Sequence, residues 1–315
     1  MLKLYPDTSR NRVATAWIDL LDPTFEEIEH ATVLAKLRIP SRAELEEIES
    51  SSRLQAENGT FRLSMTVSAH AEQHESAPTP IGFVLSANML VTLRYTELRG
   101  FEDARQHLLQ EDIASTPASI FNALLEGMID FGADTLEQMA AELNRISHLV
   151  FKDFRSVSRH NAKRQTRALR QTLADVGQHG ERLSQIRESL LGLQRIVSFV
   201  AERGHDWIGA DVQARLRTAT SDLTSLTEFE VHLTDKVQFL LDAVLGFIGI
   251  EQNDIFKVLT IVSVVGIPPT FVAGMYGMNF QVPEYHWQYG YAWGLFLIVL
   301  STIVPVAWFK WRGWW

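Results

Sequence analysis

Two apolar stretches near the C-terminal end constrain this chain more than any other feature. Val258 to Met275 holds about 18 residues without a charge, and Gly290 to Phe309 holds about 20. As helices, both are long enough to cross roughly 30 Å of hydrocarbon. Residues 1–257 instead mix charged and apolar residues, as soluble proteins do. We therefore expect an integral membrane protein with a large soluble N-terminal part.

The loop between the two stretches predicts how the chain is oriented. It holds about 14 residues and no Lys or Arg, whereas Lys257 precedes the first stretch and Lys310 and Arg312 follow the second. Because basic residues favour the cytoplasmic side, we expect the loop outside and both termini in the cytoplasm. Tyr and Trp flank both stretches, which is typical of side chains that contact lipid headgroups. The first residues lack the apolar core of a signal peptide, which also favours a cytoplasmic N-terminus.

The composition excludes several classes of function. Without any Cys, the chain has no disulfide, no catalytic thiol and no thiolate zinc site. A net charge of -9 argues against a nucleic-acid partner. We find no Ser/His/Asp set, P-loop or glycine-rich nucleotide fingerprint, so we expect neither an enzyme nor a cofactor. His70 and His74 have helical metal-ligand spacing but lie in a polar loop, and the basic stretch from Lys152 to Arg170 is interpreted as a solvated helix face.

One face of the first apolar stretch carries polar and small residues among apolar ones. This stripe recurs at steps of three and four residues and consists of Asn253, Phe256, Leu259, Ser263, Ile267, Thr270 and Gly274. Two helices cannot enclose an ion, so a pore needs several copies of the chain. The hydroxyls fit pore lining and bonding to their own helix equally well. Pro268-Pro269 fits either a bend or a tolerated membrane proline pair. The second stretch is typical of a lipid-facing helix.

Residues 1–205 are predicted to form an α+β domain. Alternating and β-branched runs predict strands over Arg12 to Leu20, Phe61 to Val67, Ile81 to Ser86 and Leu90 to Tyr95, with a hairpin turn at Ala87-Asn88 between the last two. Helices are predicted over Glu26 to Lys36 and Arg42 to Ser50, the second with a capping box of Ser41 and Glu44. From Ser119 onward the periodicity is helical.

Residues 206–257 are predicted to form a stalk helix. Apolar residues recur every three or four positions along a seam, namely Leu216, Ala219, Leu223, Leu226, Leu233, Val237, Leu240, Val244 and Phe247. The seam runs into the first apolar stretch and predicts one helix of about 70 residues. Glu230 also lies on the seam, where a carboxylate is costly unless paired or hydrated. We therefore interpret the seam as surrounding a wet axis between copies.

The loop after the first stretch carries a specific motif. Tyr276-Gly277-Met278-Asn279-Phe280, followed by Pro283-Glu284 and a last apolar stretch ending in Phe309-Lys310, resembles the CorA family of magnesium channels. The resemblance extends upstream through Glu251-Gln252-Asn253 and, more loosely, to Trp17-Ile18-Asp19-Leu20. It implies a funnel-shaped homopentamer in a prokaryotic cytoplasmic (inner) membrane. The parts would be a pore-lining span over residues 258–275, an external loop over 276–289, an outer span over 290–309 and a cytoplasmic tail over 310–315.

The resemblance also implies roles for individual residues. Mg²⁺ gives up its water reluctantly, so a ring of neutral Asn279 carboxamides would select the hydrated ion, with Gly277 letting the backbone turn tightly. Tyr276 and Met278 belong to the same motif, and Met278 is expected to pack because a thioether is too soft for Mg²⁺. Asn253, Thr270 and Gly274 match open pore positions. Phe256, Leu259 and Ile267 match narrow apolar ones, where loss of water closes a pore.

Two departures from the family pattern affect ion entry and regulation. Gln281 stands where relatives carry an acid, which leaves Glu284 to concentrate cations at the mouth. Thr218 stands where the family places an acid that binds regulatory Mg²⁺, and Asp222 is the nearest carboxylate.

Three functions remain open from the sequence. The first is a channel for hydrated Mg²⁺, with Co²⁺ and Ni²⁺ as further ions, driven by the electrochemical gradient. The second is a Zn²⁺ or broad divalent-metal transporter on the same scaffold, as in the ZntB branch. That branch typically carries Val in place of Met278, so Met278 favours the magnesium channel. His286 and Gln281 keep the zinc transporter open. The third is a membrane-anchored sensor that conducts nothing.

Overall fold

The structure is a computed structural model, and it describes residues 1–5, 16–47, 49–67, 78–110, 116–155, 162–279 and 283–314. The chain divides into two compact units. The first comprises Met1–Arg155 and Ala174–Leu241, and the second Ser156–Leu173 and Asp242–Trp315.

A six-stranded mixed sheet organises the first unit. Its strands are β1 (Leu2–Tyr5), β2 (Trp17–Leu21), β3 (Leu54–Glu57), β4 (Thr60–Val67), β5 (Thr79–Ser86) and β6 (Leu90–Arg94), in the spatial order β1-β2-β6-β5-β4-β3. Among the described strands, β2 and β6 are the one parallel pair, with Asp19 beside Thr92. The other neighbouring pairs are antiparallel. Strands β2, β4 and β6 therefore run in one direction and end at the same edge of the sheet.

Helices cover both faces of this sheet. The covering helices are among α1 (Phe25–Ala35), α2 (Arg42–Leu45), α3 (Ser50–Arg53), α4 (Arg99–Gln110), α5 (Pro117–Arg155) and α6 (Ala162–Arg203). The next helix, α7 (Ala210–Tyr276), begins in the first unit and continues into the second. On one face Ile18, Leu20, Val91 and Leu93 pack with Ala31 of α1 and Leu45 of α2. On the other face Phe83 contacts Phe101 of α4 and Phe121 of α5. Side chains alternate between the faces because successive strand residues point in opposite directions.

Most of the predicted elements are present. The last three predicted strands appear as β4, β5 and β6, and β5 and β6 form the expected hairpin. The Ser41–Glu44 capping box is confirmed, since each backbone N–H bonds the other residue's side chain. The predicted helix over Arg42 to Ser50 is wrong, because α2 ends at Leu45 and a second short helix begins at Ser50. Strands β1 and β3 were not predicted. Part of the predicted strand at Arg12 and the loop with His70 and His74 lie outside the described residues.

The helix α7 confirms the predicted continuity between stalk and first apolar stretch. It runs without interruption for 67 residues and includes Pro268 and Pro269. Its seam residues Leu216, Leu223, Leu233 and Leu240 are buried within a single chain.

The interpretation that the seam surrounds a wet axis is wrong. Glu230 on the seam is 1% exposed. Its Oε2 lies 3.7 Å from Nε of Arg187 on α6, and its Oε1 accepts a 2.7 Å hydrogen bond from Thr234. The seam is therefore packed inside its own chain, where Arg187 and Thr234 offset the cost of burying a carboxylate.

The second unit contains the end of α7, a short 3₁₀ turn over Pro283–His286, and α8 (Gly290–Trp311). The most apolar windows of α7 and α8 have mean hydropathies of 1.9 and 2.0, and 0% and 6% of them is buried. A core helix of a soluble protein would be mostly buried, so these helices suit a lipid environment.

The C-terminal end of α8 has a well-defined cap. The N–H groups of Gly313 and Trp314 donate to the carbonyls of Lys310 and Phe309, and Gly313 has φ 70°. This is a Schellman cap, in which a glycine takes the left-handed conformation and satisfies the last carbonyls. The ring of Trp314 packs on Phe309 with centroids 5.5 Å apart. Because α8 ends at Trp311, the first two residues of the predicted tail belong to the helix.

Candidate functional site

The stripe of pore candidates lies along the last third of α7. Phe256, Leu259 and Ile267 are each about two-thirds exposed in the single chain, at 66%, 60% and 65%. Asn253, Thr270 and Gly274 are also exposed, and Ser263 is partly exposed. A methyl group added at Gly274 would meet no atom within 4 Å. Such large apolar side chains stay exposed only where lipid or another copy of the chain covers them.

Thr270 shows how a hydroxyl is accommodated on this stripe. Its Oγ1 donates a 2.8 Å hydrogen bond to the carbonyl oxygen of Gly266, one turn earlier. Bonding to its own helix, one of the two roles that the sequence allows, is thus observed. It does not exclude the other role, because the same oxygen keeps lone pairs that accept hydrogen bonds from water.

The motif lies where α7 ends. The N–H of Gly277 still donates to the carbonyl of Ala273 at 2.9 Å, and that of Met278 donates to Met275 at 3.3 Å, a tighter turn. A Cβ at Gly277 would lie 3.2 Å from the Ala273 oxygen, so a small residue lets the helix tighten there. Tyr276 is partly exposed, and Met278 and Asn279 are exposed directly after the turn. The Asn279 carboxamide is therefore accessible to an ion at the end of the stripe.

Glu284 lies on the other side of the same loop. It belongs to the 3₁₀ turn, and its side chain is partly exposed. Its carbonyl accepts a hydrogen bond from Trp287, and α8 starts close by at Gly290. A Cβ at Gly290 would lie 2.2 Å from the Glu284 carbonyl oxygen, so only glycine allows this approach. Gly290 is the first residue of the second apolar stretch, and its role at this turn was not predicted, although a glycine at the start of such a stretch is a recognisable signal.

Asp222, the candidate regulatory ligand, is exposed on α7 one turn after Thr218. Its negative charge acts on a carboxylate of α5 that no local sequence pattern connects with it. Partial burial raises the pKa of Asp130 on α5, and the negative charges of Glu126, Asp134 and Asp222 raise that pKa further. Glu126 is itself held by Arg215 of α7, with Nε to Oε1 at 3.0 Å. Within the described residues, no group of three or more His, Cys, Asp or Glu side chains is arranged to hold a metal ion.

The chain is similar to known proteins over nearly its whole length. Residues 14–311 match the family described as CorA-like Mg2+ transporter protein. A magnesium transport protein CorA from Sodalis glossinidius is 33% identical over 317 residues, which cover 99% of this chain and 96% of that protein.

Solved structures share the fold at low sequence identity. The complete CorA magnesium transporter from Methanocaldococcus jannaschii superposes with a TM-score of 0.76 at 16% identity, over 95% of this chain and 91% of that one. The ZntB cytoplasmic domain from Vibrio parahaemolyticus superposes with a TM-score of 0.53 at 17% identity, over 73% of this chain and 86% of that one. The family match and the 33% identity over nearly the full length place the chain among transporters rather than enzymes. The chain belongs to the CorA family of divalent cation transporters.

Proposed function

We propose that this chain forms a channel for hydrated Mg²⁺, with the stripe on α7 as its wall and Asn279 as its selective ring. The observation that carries the proposal is the exposed stripe ending in an exposed carboxamide at the turn after Tyr276. Its named relatives transport magnesium, which favours this ion for the present chain. Since the described part of one chain supplies two candidate spanning helices, several copies must surround the path, and the family resemblance favours five.

The chemistry of the stripe suits a hydrated ion. Neutral amide and hydroxyl oxygens at Asn253, Thr270 and Asn279 can bind the water around Mg²⁺ without removing it. The bulky apolar residues Phe256 and Ile267 form narrow sections that close when water leaves them. Glu284 adds a negative charge near the mouth, which raises the local cation concentration. No step of this path requires a cofactor, and the membrane potential supplies the driving force.

The proposed location is the prokaryotic cytoplasmic membrane, with both termini in the cytoplasm. Lys257, Lys310 and Arg312 then lie on the inner side, and the motif faces outward. Trp308 and the exposed Trp311 border α8 at headgroup depth, and the guanidinium of Arg312 lies 5.5 Å from the Trp308 ring centre.

The selective ring is tested by replacing Asn279. Asn279→Ala in proteoliposomes should abolish selective Mg²⁺ uptake, because the ring loses its carboxamides. Gln288→Ala is the matched control, since Gln288 is an exposed amide in the same loop but outside the motif. Uptake by Asn279→Ala with the selectivity of the unchanged protein would remove Asn279 from the filter.

Transport of Zn²⁺ is the second candidate. His286 is exposed in the outer loop, and imidazole is a better ligand for zinc than for magnesium. Met278, which stands where the zinc branch typically has Val, favours magnesium instead. Direct competition decides between them: an excess of Zn²⁺ should leave most Mg²⁺ flux intact, whereas complete inhibition accompanied by Zn²⁺ uptake would favour the zinc transporter.

We also propose that any sensing of cytoplasmic Mg²⁺ uses Asp222. The neighbouring carboxylates on α5 and α7 repel one another, and a divalent cation bound beside them would relieve that repulsion. Ligands from a second copy would have to complete the site. In the same proteoliposomes, internal Mg²⁺ should inhibit flux, and Asp222→Asn should weaken this inhibition without changing ion selectivity.

A further inference from the structure

A cavity of about 620 Å³ lies in the first unit, and its lining includes no residue of the proposed ion path. Leu21, Val67 and Arg94 line it at the ends of β2, β4 and β6, which run in the same direction. The start of α4 lines it at Arg99 and Gly100. The carboxyl ends of strands next to a helix N-terminus form a common place for ligands in sheet proteins.

Helices α5 and α6 give the cavity an apolar wall. The wall consists of Met128, Phe131, Ile186, Leu190 and Leu193. Polar groups interrupt it at Thr135 and Ser189, whose hydroxyls donate to the carbonyls of Phe131 and Gln185. Their oxygens still accept hydrogen bonds, as does the side-chain carbonyl of Gln185. The volume and the mixed wall are those of a site for a small organic molecule.

Basic side chains predominate among the charged residues that line the cavity. Lys3, Arg94, Arg99 and Arg182 line it, against Glu97 and Glu102. Arg94 is neutralised by Asp19, at 2.8 Å, Glu102 pairs with Arg105, and Arg99 also has an interaction partner. Lys3 and Arg182 then remain against Glu97. This local excess of basic residues contrasts with the whole chain, which has 38 acidic and 29 basic residues. Lys3 of β1 and Arg182 of α6 therefore supply positive charge from two separate elements to the lining of one cavity.

We propose that this cavity binds a small organic phosphate. The phosphate lies near Lys3 and Arg182, since ammonium and guanidinium groups bind phosphate oxygens by charge-assisted hydrogen bonds. The apolar or aromatic body lies against Phe131 and Leu190, with Thr135 and Gln185 accepting from its N–H or O–H groups. The site is independent of the proposed ion path, and it is formed by one chain.

Binding to the full-length protein in nanodiscs tests this proposal. Titration calorimetry in magnesium-free buffer compares ADP, adenosine and pyrophosphate, so that the phosphate and the organic body are measured separately. ADP should bind one site per chain, and adenosine and pyrophosphate should each bind at least about tenfold more weakly, since each lacks one half of the contacts.

Substitutions locate the binding. Arg182→Gln and Lys3→Gln should each weaken ADP binding by about tenfold, the usual effect of losing a charge-assisted hydrogen bond. Ser189→Phe should prevent it by filling the cavity, with the melting temperature checked to show that this variant folds. Arg195→Gln is the control, because Arg195 is exposed on the same helix outside the cavity. No ADP binding, binding unaffected by Arg182→Gln and Ser189→Phe, or equal binding of pyrophosphate would each refute the proposal.

Discussion

Arg94 is at the centre of a buried polar network on one face of the sheet. Its guanidinium binds both carboxylate oxygens of Asp19, at 3.1 and 2.8 Å. Thr92 donates to the same carboxylate at 2.8 Å and accepts from the indole N–H of Trp17 at 3.0 Å. All four side chains are almost fully buried. The network joins β2 to β6, which pair in parallel.

Removing Arg94 should therefore destabilise the protein strongly. Arg94→Met leaves the Asp19 carboxylate buried without its cation, which costs about 3–5 kcal/mol and lowers the melting temperature by roughly 10 °C. Arg38→Met is the control, because Arg38 pairs with Glu44 at the surface, where an ion pair contributes less than about 1 kcal/mol. Equal melting temperatures for the two variants would contradict the structural role of the network.

Asp130 is predicted to reduce stability at neutral pH. Its pKa is raised in the folded protein, so folding favours its protonated form. The stabilising contribution is complete below the ordinary pKa of an aspartate and is lost as pH rises through the raised value. Asp130→Asn should then raise the melting temperature at pH 7, with a gain that shrinks towards pH 4.

The control for Asp130 is another aspartate on the surface. Asp103→Asn changes an exposed residue of α4 and removes the same charge from the chain. A comparable gain from Asp103→Asn would mean that net charge, rather than the carboxylates around Asp130, sets the effect.

At the scale of elements, the contact between α5 and α6 contains a titratable group. Burial lowers the pKa of His179 on α6, more than the nearby Glu142 carboxylate, 3.3 Å from Nε2, raises it. The folded protein favours the neutral imidazole, so the stabilising contribution is complete above the ordinary pKa of a histidine, about 6.5. It is lost as pH falls from there through the lower pKa of the folded state.

Acidification should therefore loosen this helix pair. The melting temperature should fall between pH 7 and pH 5, and His179→Asn should make that fall smaller. His205→Asn, which changes an exposed histidine after α6, should leave the pH dependence unchanged. If both variants behave like the unchanged protein, His179 does not control the pH response.

The sequence predicts those elements whose signal is local and periodic. The continuous α7, the two apolar helices and the β5–β6 hairpin follow from spacing alone. Strand β3 was missed although Asn58-Gly59, both with positive φ, form the two-residue turn to β4 that this dipeptide favours.

Contacts between distant residues explain the remaining differences. Asp19 and Arg94 are 75 residues apart, and their pairing depends on a parallel neighbour that no local pattern specifies. Periodicity predicts that the seam of α7 is buried, but it does not specify which helix covers it. The sequence therefore places Glu230 at an axis between copies, whereas in the structure it pairs with Arg187 of α6. The motif residues Tyr276 to Asn279 were predicted as a turn, and the structure places them where α7 ends.

At the scale of the whole molecule, the account depends on one stripe of α7 that serves as the wall of an ion path. Gly274 tests this directly, because a Cβ added there meets no atom of its own chain within 4 Å. A larger side chain would therefore extend away from the chain, into the space that the account assigns to the ion path. Gly294 on α8 offers the matched position, also open, in a helix assigned to the outer ring.

The decisive measurement is Mg²⁺ uptake into proteoliposomes by Gly274→Leu and Gly294→Leu, with the assembled state of both checked first. The account predicts that Gly274→Leu blocks uptake, since a leucine from every copy narrows the path, whereas Gly294→Leu conducts like the unchanged protein. Full uptake by Gly274→Leu would contradict a path along this stripe, and no uptake by the unchanged protein would favour a sensor that conducts nothing.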